Sequence, residues 1–149
     1  MDLKPYQYIT SDNHLIYKFD SIGPNGIFRK IVRYRPVNTN GITYFNLGFG
    51  DINPLTGKID DLAVTNNLDR EKILTTVAAT VLDFTNHFPD ALVYAEGSTP
   101  ARTRLYQMGI AANWEEINLL LYVYGLEGNK GWQPFCRKVN YRAFLATRK

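Results

Sequence analysis

The chain predicts a mixed α+β fold: a twisted, mostly antiparallel sheet with an N-terminal meander, one β-α-β crossover and two main helices. Three observations predict it. Extended runs separated by Gly, Pro and Asn fill the first half of the sequence. Apolar residues at helical spacing follow from Asn66 and stop at Pro89. The run Ala91–Gly97 then breaks into Ser98-Thr99-Pro100, where a second helix begins. With 149 residues and 45% hydrophobic content, one domain spanning 1–149 can bury a full core.

Each element follows from local chemistry. His14–Asp20 meets the turn signal Gly23-Pro24-Asn25-Gly26 and continues as Ile27–Val37. Asn40-Gly41 is a hairpin turn leading into Ile42–Asp51, and Asn53-Pro54 and Gly57 precede a strand at Lys58–Thr65. Asn66, Asn67 and Asp69 offer N-cap oxygens to a helix whose Ile73, Val77, Val81, Phe84 and Phe88 share a face. Its Thr and Val content suits an isolated helix poorly, so packing against a sheet must hold it. The long helix lets Ala91–Gly97 run parallel to Lys58–Thr65 through a right-handed crossover. The second helix, Pro100 to Ala112, places Ala101, Leu105, Met108 and Ala112 on an apolar stripe. Ile117–Tyr124 reads as a strand approached through Glu115-Glu116, Gly125–Asn140 as a loop anchored by Trp132 and Phe135, and Tyr141–Arg148 as a last strand.

Composition narrows the function classes. A formal charge of +3 and a pI near 9.0 assist the approach of an anion but fall short of a dedicated nucleic-acid binder. A single cysteine, Cys136, excludes an internal disulfide and favours a reducing cytoplasm. The opening MDLKPYQYITSDNHL carries no continuous apolar segment, so neither a secretory leader nor a membrane span is expected. His14 and His87 have no partners at metal-ligand spacing, so no metal site is expected.

The junction GSTP is the leading candidate site. A helix N-terminus carries free N–H groups and partial positive charge, and Gly97 permits close backbone approach. Pro100 suits the first helical position, which makes Thr99 the N-cap and leaves Ser98 just outside. Arg102 and Arg104 are two residues apart, about 200° around the helix, so both cannot hold one small anion. Arg102 shares its side with Tyr106. The same features also describe an ordinary helix start. Arg29, Arg33 and Arg35 alternate with Phe28, Val32 and Tyr34, giving either a basic face for phosphates or an acidic partner, or a solvated surface. Asp60 and Asp61 point to opposite faces of a strand and cannot act as a pair.

At GSTPARTRLYQMGI and YRAFLATRK the sequence resembles an uncharacterised domain-of-unknown-function family from Bacteroidetes, which implies no established activity. The element order is similar to the later part of the GCN5-related N-acetyltransferase (GNAT) fold. A helix of that family often reads Leu-Tyr-x-x-x-Gly-Phe, and this chain has Leu105-Tyr106-Gln107-Met108-Gly109-Ile110. The resemblance implies acetyl-CoA as a cofactor and Tyr106 as general acid, and for acyl transfer Asp61 or Glu96 is the candidate base among this chain's own carboxylates. Val64–Lys72 lacks the family's glycine-rich pyrophosphate turn, and a hairpin replaces its two early helices. Three readings therefore stand: a GNAT-like binding or regulatory module for a small anionic ligand or protein, an acyl-CoA-dependent N-acyltransferase, and a nucleic-acid- or partner-binding toxin–antitoxin or stress component.

Overall fold

Left-handed residues at the turns fold the first half of the chain back on itself. Asn40 (φ 53°) and Gly41 (φ 79°) form the expected two-residue hairpin, and Gly26 (φ 116°) closes the turn before it. The computed structural model describes residues 4–60 and 66–149. In order they form β1 (Ile9–Thr10), β2 (Ile16–Gly23), β3 (Gly26–Thr39), β4 (Ile42–Ile52), β5 (Ile59–Asp60), α1 (Arg70–His87), β6 (Leu92–Ala95), α2 (Pro100–Ala112), α3 (Trp114–Leu120), β7 (Leu121–Glu127), β8 (Gly131–Pro134) and β9 (Phe144–Arg148). One sheet runs β1-β2-β3-β4-β6-β9-β7-β8, with β5 also paired to β4. Among the described residues only β4 and β6 pair parallel, so the sheet is the mostly antiparallel one the sequence predicts. No helix among the described residues is long and apolar enough to cross a membrane.

Four local expectations are corrected. The parallel partner of β6 is β4, through Phe45–Leu47, and not the strand after it. A tight turn held by Asn53 N–H to Lys58 O (2.8 Å) sends β5 back antiparallel along the end of β4, leaving the middle of β4 for β6. Residues 61–65 of the predicted strand, Asp61 included, lie outside the described residues. The segment from Trp114 to Leu120 is helical, and the strand begins only at Leu121. Asn113 ends α2, and its carbonyl accepts from Ile117 N–H (3.0 Å) to start α3. Glu115 and Glu116 therefore sit in a first helical turn, where negative charge is favourable. The predicted loop contains β8; Phe135 anchors it in the core, while Trp132 lies on the surface.

The fourth correction concerns which side chains the helices bury. Asp69 precedes α1 but makes no cap hydrogen bond; its Oδ2 accepts instead from Tyr6 O–H and Ser21 Oγ–H, both at 2.6 Å. Asn67 likewise serves the β2–β3 turn, accepting from Asn25 N–H and donating to Gly26 O. Threonines in α1 are tolerated because their hydroxyls bond back to the helix: Thr76 to Lys72 O, Thr80 to Val77 O, Thr85 to Val81 O. In α2, Ala101 and Met108 are exposed, and Thr103, Tyr106, Gly109 and Ile110 face inward. Gly109 permits this rotation, since a Cβ there would stand 3.1 Å from the Leu74 side chain of α1.

All three helices cover one face of the sheet. One core cluster joins Tyr17, Val32, Tyr34 and Val93 to Val77 and Phe84 of α1. The second joins Val123, Phe144 and Leu121 to Ile117 and to the returning loop through Phe135 and Tyr141. Where the clusters meet, an apolar cavity of about 80 Å³ remains between Leu47, Val81, Ala95, Tyr106 and Ile117. Among the described residues no helix lies on the opposite sheet face.

Candidate functional site

The GSTP corner folds as its sequence requires. Thr99 is extended (φ −136°, ψ 161°) and its Oγ1 accepts the Arg102 N–H at 3.2 Å, with Pro100 at the first helical position. Gly97 N–H donates to Thr103 Oγ1 at 2.9 Å, and Thr103 N–H reaches Thr99 O at 3.1 Å. A Cβ at Gly97 would stand 2.3 Å from the Thr103 backbone nitrogen, so the close approach that needs glycine is to α2 itself. The corner thus satisfies several of its own donors.

Its residues separate from one another. Arg102 is half-buried on the wall of an open cleft shared with Arg70 and Lys72 of α1, Tyr6, and the buried pair Lys30–Asp51. This cleft lies where β4 and β6 end and α1 and α2 begin, the position at which parallel strands with following helices commonly leave a crevice. Lys72 Nζ sits 4.3 Å from the Tyr6 ring centre. Tyr106 is directed elsewhere: its ring packs in both core clusters and lines the apolar cavity. Glu96 accepts a 2.5 Å hydrogen bond from Tyr94 O–H, and burial together with that contact pushes the Tyr94 phenol up to about 12. Ser98 and Arg104 are exposed.

Arg29, Arg33 and Arg35 are brought together on the helix-free face of the sheet. Strand alternation and register set that face. Arg35 pairs with Asn46, Asn46 with Tyr94, Tyr94 with Leu145 and Leu145 with Tyr124, so one row crosses five strands. Arg33 and Arg35 are exposed, while Arg29 Nε donates to Asp20 Oδ1 across the β2–β3 pair at 2.5 Å. Beside this basic strand stands an aromatic group: Tyr44 lies 5.6 Å from Tyr94, and Tyr94 meets Trp132 edge-on at 6.2 Å. Ile9, Ile22, Ile27, Ile42 and Tyr122 are all more than half exposed, and register places each on this face. Register scatters them over the face, with Ile22 and Ile27 at one end of the β2–β3 pair, Ile42 at the far end of β3–β4 and Tyr122 on β7, and scattered apolar side chains are ordinary on a surface. The aromatic half was invisible in the sequence because its members come from β4, β6 and β8.

A second grouping also escaped the sequence. His14, in the loop before β2, and His87, in the last turn of α1, stack with ring centres 3.7 Å apart. His14 has φ 58°, a left-handed conformation that costs energy for a non-glycine residue. Asp83 lies beside both rings, 3.7 Å from His87 Nε2, and accepts a 2.8 Å hydrogen bond from Tyr17 O–H on its other oxygen. Burial, reinforced by Asp83, raises the Tyr17 phenol far above its ordinary value, which keeps it a donor. Asp83 and His87 stand i,i+4 on α1, a spacing visible in the sequence, and His14 joins them from a distant segment.

A family model described as a family of unknown function (DUF6934) matches residues 2–149. No curated protein matches the chain, and no solved structure does.

Proposed function

The chain belongs to DUF6934, and we propose that it is a binding module whose helix-free sheet face takes a single-stranded nucleic acid. The observation that carries this reading is the juxtaposition of the Arg33/Arg35 strand with the Tyr44–Tyr94–Trp132 group on an uncovered surface. Single strands are bound by cations that follow the backbone and by aromatic rings that receive bases. The net charge of +3 understates this surface, because its cations are gathered on one strand.

Fluorescence anisotropy with a labelled oligo(U) 20-mer tests the reading. Binding is expected to weaken with salt, with a log–log slope of about −1.4 for Arg33 and Arg35 on a single strand, Arg29 being paired with Asp20. Tyr94→Ala should weaken it by about 1–3 kcal/mol. Arg33→Glu/Arg35→Glu should abolish it. Unchanged binding by that double variant, or capture of poly-glutamate in place of the oligonucleotide, would reject the proposal.

A small anion held in the cleft is the second reading, favoured by the half-buried position of Arg102 beside Arg70 and Lys72. Its test is pyrophosphate and acetyl-CoA followed by thermal shift. Arg102→Ala should lower affinity more than Arg104→Ala, whose side chain is exposed and off the cleft wall; equal effects would remove the cleft from consideration. Acyl transfer gains no support from the packed Tyr106 or from Glu96, which is engaged with Tyr94.

A further inference from the structure

The His14–Asp83–His87 cluster combines three features that a chance surface contact does not. One potential ligand atom from each residue lies within 4.8 Å of the others. His14 Nδ1 is buried without a hydrogen-bond partner among the described residues, a costly state for a ring nitrogen. Asp83 is oriented from behind by the Tyr17 hydroxyl, which leaves its Oδ1 on the side of His87 Nε2. Outer hydrogen bonds of this kind hold carboxylate ligands in place. Asp83 and His87 also lie at the C-terminal end of α1, where the free carbonyls favour a cation.

We propose that His14, Asp83 and His87 bind a divalent transition metal of the zinc class, with at least one coordination position left to water. Two imidazoles and a carboxylate suit such ions, whereas calcium and magnesium prefer all-oxygen sets. Metal–ligand bonds of about 2.0–2.2 Å place ligand atoms about 3.3 Å apart in a tetrahedron. The residues must therefore close in by about 1.5 Å, which side-chain rotation supplies without moving α1. The His87 and Asp83 side chains are 39% and 30% exposed, so the ion has a route in and room for water. The site is independent of the nucleic-acid face, since it lies on the helix side of the sheet.

The test uses the full chain without a histidine tag, stripped with a chelator. Because the chain has two histidines, every imidazole resonance in a ¹⁵N correlation spectrum reports on this cluster. One equivalent of Zn²⁺ is expected to shift both sets of resonances, and Co²⁺ should develop the intense visible bands of a low-coordinate site. His87→Ala and Asp83→Asn should each weaken Zn²⁺ at least about tenfold in titration calorimetry. The half-exposed His87 makes its variant safe for folding, and Asn retains an acceptor for Tyr17. Unmoved imidazole resonances, a purely octahedral Co²⁺ spectrum, equal binding of Mg²⁺ or undiminished affinity in both variants would each overturn the proposal and leave a plain imidazole stack.

Discussion

Lys30→Met is expected to lower the unfolding free energy by about 3–5 kcal/mol, as read from urea denaturation. Lys30 is 4% exposed, and Asp51 stands directly opposite it in the β3–β4 register. Its Nζ meets Asp51 Oδ1 at 2.5 Å, and the aspartate side chain is itself only 13% exposed. Taking two such groups out of water is costly, so the net value of the pair is small. Removing one member is different: it leaves the other charge desolvated and alone. The double variant Lys30→Met/Asp51→Leu should therefore recover much of the loss, because Asp51 is then no longer a desolvated charge facing an apolar side chain. A double variant as unstable as the single one would mean that Lys30 matters through its packing. Lys30 also lines the cleft beside Arg102, so the pair doubles as a fixed wall of that opening.

Strand alternation made part of this legible. Once Arg29, Arg33 and Arg35 are assigned to one face, the even positions Phe28, Lys30, Val32 and Tyr34 must share the other. The meander, the Asn40-Gly41 hairpin and the Thr99-Pro100 helix start were readable because each is fixed within a few residues. What failed depended on partners remote in sequence. Asp69 looked like a cap, but Tyr6 and Ser21 compete for its carboxylate. The stripe on α2 was misjudged because Leu74 of α1 needs the glycine side of that helix. For α3 the signal was present: Asn113 followed by two glutamates is a helix start, and the apolar run Leu119–Val123 obscured it. Tyr44, Tyr94 and Trp132 carry no local signature, and in the His14–Asp83–His87 cluster the i,i+4 spacing of Asp83 and His87 is the one local signal.

These remote contacts explain why the candidate sites fall on opposite sides of the sheet. The helix side is packed, and its polar groups are engaged in positioning: Asp83 with Tyr17, Tyr34 O–H with Thr80 Oγ1 at 2.9 Å, Asp69 with Tyr6. On the other side Arg29 is paired with Asp20 and Tyr94 with Glu96, while Arg33, Arg35 and Trp132 are exposed. A sheet of this size covered on one face keeps a binding surface at little cost to stability, provided the covered face is well packed.

Phe84→Ala tests that proviso and is expected to cost about 3–5 kcal/mol. Phe84 is fully buried at the centre of the first core cluster. Its ring stacks on Tyr34 at 4.1 Å and 5°, with Phe45 and Phe88 each at 5.1 Å. Alanine removes the plate against which three aromatic rings pack, and stacked rings on neighbouring elements cannot all collapse into the space. Phe84→Leu, which refills part of it, should cost distinctly less. The loss also separates the two faces functionally. Phe84 follows Asp83 directly on α1, and its ring packs on Tyr34 and so holds that end of the helix against β3. Under conditions where the variant stays folded, Zn²⁺ affinity should therefore fall while oligonucleotide binding on the far face persists. If both fall together, the sheet itself has lost its shape; if neither changes, the end of α1 is held by contacts other than this ring.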